Sequence, residues 1–118
     1  VNITDKIAAN EAYGPRPQSV LQEAEVIING QRRQDYGSCA ESFERIARFW
    51  NAYLTNEAAK YDGEIGTDWE LTGEDVALMM NLMKVARYQN GGTRDSIVDM
   101  AGYAGCVEKI REEEGRRL

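Results

Sequence analysis

Four times along this chain a Ser or Thr stands directly ahead of a stretch whose apolar residues recur every three or four positions. That pairing of cap and stripe leaves little room for anything but helices. Ser19, with Gln22 three residues on, opens a stripe of Val20, Leu21, Ala24, Ile27 and Ile28 that stops at Gly30. Ser38, with Glu41, opens Phe43, Ile46, Ala47, Trp50, Tyr53 and Leu54. Thr72, with Asp75, opens Val76 to Ala86, which is apolar almost all round, and Thr93 opens Ile97, Val98, Ala101, Ala104 and Ile110. In each case the hydroxyl accepts from an N–H of the first turn that has no partner inside the helix. The spacing then gathers the apolar side chains on one face.

The expectation is an all-α helical bundle of about four helices with one long loop. The helices are predicted over Ser19 to Gly30, Ser38 to about Leu54, Thr72 to Asn90, and from Thr93 to about Arg111. A polar connector, Gln31 to Gly37, joins the first two. The long loop runs from Thr55 to Leu71, rich in Gly and acid. Residues 1–18 read as an N-terminal arm broken by Gly14, Pro15 and Pro17, residues 19–111 as the bundle, and residues 112–118 as a charged tail. A chain of 118 residues holds one core of independent stability. The third helix is too apolar to lie at an edge and is expected to be central. Gly102 and Gly105 on the last helix would let a neighbour approach closely. Together these features predict a homo-oligomer, most simply a twofold dimer.

Charge and missing residue types narrow the function. The formal net charge is -6, and Lys and Arg form no long run, so duplex nucleic acid is not expected as a partner. A small phosphate-bearing ligand needs only two or three placed cations. The chain has no histidine, which removes Ser-His and Cys-His nucleophiles and leaves Cys39 and Cys106, far apart in sequence, without partners for zinc. They are expected reduced and partly buried. No apolar run approaches the roughly 20 residues that span a bilayer, and no leader pattern stands at the start, so a cytoplasmic protein without membrane contact is expected.

Four groups of residues are candidates for chemistry. Asp95 and Asp99 lie one helical turn apart on one face, a spacing suited to Mg²⁺ or Mn²⁺; Asp95 in the first turn is also accounted for by the helix dipole. Asn81, Lys84 and Tyr88 form a polar line on the most apolar helix, with Arg87 beside it. They are either a solvated stripe or the wall of a pocket in which Lys84 meets a phosphate. Arg32, Arg33 and Tyr36 lie in the connector before a capped helix start, where two arginines can hold a phosphate and a tyrosine can stack on a base. Glu41 and Glu44 make an E-x-x-E, a possible metal pair or base, although such spacings are common on charged helices. Tyr103 on the last helix joins the candidate ligand-binding residues.

Taken as a set, the stretches QDYG, ESFERIA, EDVALMM, KVAR and DSIVDMAGYA resemble a family of small bacteriophage proteins of unassigned function, over about Ser19 to Glu108. In its last helix that family is similar to the all-α nucleotide pyrophosphatases of the MazG type. Those bind Mg²⁺ through E-x-x-E on one helix and E-x-x-D on another, and release pyrophosphate from nucleoside triphosphates. The resemblance implies Asp99 for the final acid of E-x-x-D, with Ser96 where the Glu would be and Asp95 as its substitute. No E-x-x-E stands on the third helix, where Asn81 and Lys84 lie instead. Glu41 and Glu44 on another helix offer replacement acids. Three readings follow: a divergent Mg²⁺-dependent nucleoside triphosphate pyrophosphohydrolase working in the host cytoplasm, with Glu41, Glu44, Asp95 and Asp99 as its catalytic acids; a non-catalytic nucleotide-binding protein, such as one that sequesters a host signalling nucleotide; or a structural helical oligomer.

Overall fold

The computed structural model describes residues 18–61 and 69–118. The N-terminal arm, apart from Gln18, and the centre of the long loop lie outside them. Among the described residues there are five helices and no strand: α1 (Val20–Asn29), α2 (Gln31–Tyr36), α3 (Cys39–Lys60), α4 (Gly73–Gln89) and α5 (Arg94–Glu113). Ser19, Ser38, Thr72 and Thr93 all cap as their positions predict. At Ser19 and Thr72 the third-position side chain returns a second bond, closing a full capping box.

Three features depart from the sequence reading. The polar connector is itself a six-residue helix, α2, bridged by a Gln31 to Asp35 side-chain bond of 2.7 Å. All of its residues are exposed, so no apolar stripe marked it. It stops at Gly37, whose φ of 83° lies in the left-handed region and whose N–H reaches Arg33 O at 2.9 Å. Helix α3 continues to Lys60, beyond Leu54, through a segment without large apolar residues but with a Glu57–Lys60 pair at 2.7 Å.

The third departure concerns which helix is central. It is α5 that packs against α1, α3 and α4. Its buried line, Val98, Gly102, Cys106 and Ile110, recurs every four residues, while Ala104, expected inward, is exposed. Helix α4 buries Val76 and Ala77 completely, yet leaves Leu78, Met79, Leu82 and Val85 exposed. It is therefore a flank with an uncovered apolar side.

The glycines of α5 have an owner within the chain. A Cβ built on Gly105 would lie 3.0 Å from Ile28 Cδ1, and one on Gly102 would lie 3.5 Å from Ile28 Cγ2. The two glycines therefore admit α1 of the same chain, and the argument for an oligomer loses that support. The core around them consists of Ala77, Cys106 and Ile110, packed by Ile28, Cys39, Ala40, Phe43 and Val107. At the start of α4, the Asn51 amide clamps Leu71, accepting from its N–H at 2.8 Å and donating to its carbonyl at 3.0 Å. This brings Gly73 against the backbone of Phe43 and Glu44, where a side chain would press on main-chain atoms.

Candidate functional site

The short helix α2, the capped start of α3 and the middle of α5 line a shallow cleft whose enclosed volume is about 80 Å³. Helix α2 supplies Arg32, Arg33 and Tyr36; α3 supplies Ser38, Cys39, Ser42 and Phe43; α5 supplies Val98, Asp99, Gly102, Tyr103 and Cys106, with Ala24, Ile27 and Ile28 of α1 behind them. Five residues singled out from sequence thus meet here: Arg32, Arg33, Tyr36, Asp99 and Tyr103.

Each wall follows from local sequence. Gly30 and Gly37 bracket α2, and the positive φ at Gly37 turns the chain so that α3 starts beside it. A Cβ built on Gly37 would meet only the movable end of the Glu41 side chain, so it is the positive φ that holds the turn to glycine. Ser38 is buried; its hydroxyl accepts from Glu41 N–H at 3.1 Å and donates to Glu113 at 3.0 Å, which ties the start of α3 to the end of α5. Across the cleft, the rings of Phe43 and Tyr103 lie 6.0 Å apart, tilted by 38°. This forms an aromatic wall of the kind on which a base can rest.

The polar line on α4 resolves into distinct parts. Lys84 Nζ lies 2.8 Å from Asp99 Oδ2, both partly buried. The ammonium is thus engaged with the cleft through the carboxylate. Asn81 has its Oδ1 buried without a hydrogen-bond partner. Arg87 and Tyr88 are exposed near the end of α4, and Glu41, Glu44 and Asp95 are exposed as well. None of these five lines the cleft.

The divalent cation implied by the resemblance needs several oxygen ligands gathered at one point. Among the described residues, no group of three or more Cys, Asp or Glu is close enough to hold a metal. Asp99 has Lys84 for its partner, and a cation on cation contact disfavours a metal there. The described residues do not fit the cation.

Two further members of the cleft, expected from sequence to be reduced and partly buried, are so, but nothing in the sequence brought them together. Cys39 and Cys106 are 67 residues apart, free, and bring their Sγ atoms to 2.7 Å on the cleft floor. The shared hydrogen bond and the nearby Lys109 ammonium hold the Cys39 thiol below its ordinary value against burial. The same bond, with burial, pushes Cys106 up.

These features define a small all-helical domain with a cleft that carries arginines at one side and aromatic rings at the other, in a chain that is acidic overall. The chain belongs to the family described as "Domain of unknown function (DUF6378)", which matches residues 19–111. It is 48% identical over 100 residues to the Gene 55 protein of Mycobacterium phage L5, covering 84% of this chain and 56% of that protein. It is 43% identical over 97 residues to the Gene 55 protein of Mycobacterium phage D29, covering 81% and 56%. The chain thus spans little more than half the length of these curated relatives. No solved structure matches. The resemblance to a phage family is supported by these relatives; the likeness to the MazG type gains no support from them. No helix of the described residues is long and apolar enough to cross a membrane.

Proposed function

We propose that this domain binds a nucleotide in the cleft between α2, α3 and α5 and leaves it intact. Arg32 and Arg33 take the phosphates, and the rings of Tyr36, Phe43 and Tyr103 receive the base. The observation that carries this reading is the convergence of Arg32, Arg33, Tyr36 and Tyr103 on one cleft, where the one lining carboxylate, Asp99, is bound to Lys84. With that pair internally neutral, the two arginines give the cleft a net positive charge, which suits a phosphate.

The test is calorimetry of the full chain with a panel of ribo-, deoxy- and cyclic nucleotides, with and without Mg²⁺ or Mn²⁺, followed by chromatography of the nucleotide. Binding is expected without metal, with the nucleotide recovered unchanged. Arg32→Ala and Arg33→Ala should each weaken binding by about 1.5–3 kcal/mol, the usual worth of a charged hydrogen bond. Release of pyrophosphate from a triphosphate would overturn this reading in favour of the MazG-type hydrolase. Binding to no member of the panel would leave the helical oligomer as the better account.

A homo-oligomer is part of the same proposal, now resting on α4 alone. Leu78, Leu82 and Val85 recur at helical spacing and are exposed, with Met79 beside them. A second copy laid along α4 would cover them, as an uncovered apolar stripe of this kind favours association. Light scattering at micromolar concentration should give at least a dimer, and a monomer there would refute it.

A further inference from the structure

The two thiols on the cleft floor have no part in holding a nucleotide, and their arrangement has a chemistry of its own. Cys39 opens α3, and Cys106 lies on the buried line of α5. Their sulfurs are already 2.7 Å apart, against about 2.05 Å in a disulfide. The bond would therefore form with well under an ångström of movement.

The pair is also asymmetric. Cys106 is 4% exposed, whereas Cys39 is only half-buried and sits at the N-terminus of a 22-residue helix, where the dipole favours a thiolate. Around them the charged groups are Lys109 and Arg32, which favour the anion, and Glu113, which opposes it. Both thiols line the cleft floor, but the one at the helix N-terminus is the more exposed and the other is buried. This is the layout of an attacking and a resolving cysteine.

We propose that Cys39 and Cys106 are a reactive pair that closes into a disulfide when a peroxide enters the cleft. The Cys39 thiolate attacks one peroxide oxygen and the O–O bond breaks, leaving a sulfenic acid on Cys39 and a hydroxide that takes a proton. Cys106 then attacks the Cys39 sulfur, the S–S bond forms, and the sulfenic oxygen departs as water with the proton from Cys106. The two thiols are oxidised, the peroxide is reduced to two waters, and α3 is bolted to α5 across the cleft floor. The step is independent of whether a nucleotide binds there.

The experiment treats the full chain, reduced and then freed of reductant, with one equivalent of hydrogen peroxide and reads the intact mass. The expected product is lighter by two hydrogen atoms, has lost both thiols to alkylation, runs as a single chain without reductant, and regains both thiols with dithiothreitol. In Cys106→Ser the reaction should stop at a sulfenic acid on Cys39 that dimedone traps. In Cys39→Ser the thiol of Cys106 should survive the same dose. The wild-type mass reads the proposal even where a variant fails to fold. A wild type that gains oxygen without losing hydrogen, or that links only between chains, would overturn it. So would oxidation of Cys106 in Cys39→Ser as fast as Cys39 reacts in the wild type.

Discussion

Replacing Lys84 by Met and Asp99 by Asn, singly and together, separates the nucleotide-binding reading from the metal-dependent one, because the two readings give Asp99 opposite roles. The charged atoms are 2.8 Å apart, with side chains 15% and 26% exposed. At an effective dielectric constant near 20, their attraction is about 6 kcal/mol. Loss of water around both ions, and residual screening of groups that are still partly exposed, offset most of it. The net coupling should lie between that of surface and buried pairs, about 1–2 kcal/mol. Urea unfolding of the four proteins at neutral pH measures it as a double-mutant cycle.

Calorimetry on the same four proteins then reads the function. Lys84→Met leaves an unpaired carboxylate on the cleft wall, which should repel a phosphate and weaken binding. Asp99→Asn frees the Lys84 ammonium next to that wall, so metal-free binding should hold or tighten. A metal site that used Asp99 would instead lose its Mg²⁺-supported binding in Asp99→Asn. The reasoning fails if the coupling is below about 0.3 kcal/mol, the level at which sites count as independent, or if both single variants weaken binding alike.

Three other outcomes follow from the packing. Leu82→Glu places a charge in the exposed stripe of α4, and should turn an oligomer into a monomer by light scattering while the helical circular dichroism stays unchanged. Gly105→Val drives a branched side chain into Ile28, already 3.0 Å from where a Cβ would stand; it should cost about 1–3 kcal/mol, and Ile28→Ala should recover part of that loss in thermal unfolding. Because the Cys106 hydrogen bond and Lys109 hold the Cys39 thiol below its ordinary value, its thiolate persists to lower pH than a free cysteine's. Iodoacetamide should therefore still label Cys39 at a pH where unfolded chain is protected, and equal pH profiles for folded and unfolded chain would refute that.

Helix starts were legible because each rests on a few adjacent residues: a hydroxyl, its third-position partner and the apolar spacing that follows. What depends on the remainder of the molecule was not. Nothing in Gln31 to Tyr36 marks a helix, since its residues are all exposed and it is fixed by two glycines and a side-chain bridge. The apolar girth of α4 suggested a centre, but girth does not say whether all sides are covered within one chain. That place went to α5, whose Gly102 and Gly105 allow α1 to come close enough to bury it. Small residues on a helix thus announce a close neighbour without saying which.

The site follows the same division. Arg32, Arg33 and Tyr36 are neighbours in sequence, so their joint presence at a cleft could be suspected before any fold was known. The reading of Asp95 and Asp99 as a pair used helical spacing alone, and spacing is blind to what stands opposite. Lys84, on a different helix, is the ion-pair partner of Asp99, and it converts a candidate metal ligand into half of a salt bridge. Cys39 and Cys106 are the reverse case: 67 residues apart, they were expected only to be reduced and partly buried, and their pairing shows only where α3 and α5 set them side by side. In both cases the chemistry of a residue was decided by the helix packed against its own, which is the information a periodicity cannot contain. If the free ammonium of Asp99→Asn tightens nucleotide binding while that of the wild type is silent, the same contact between α4 and α5 also sets how much positive charge the cleft presents.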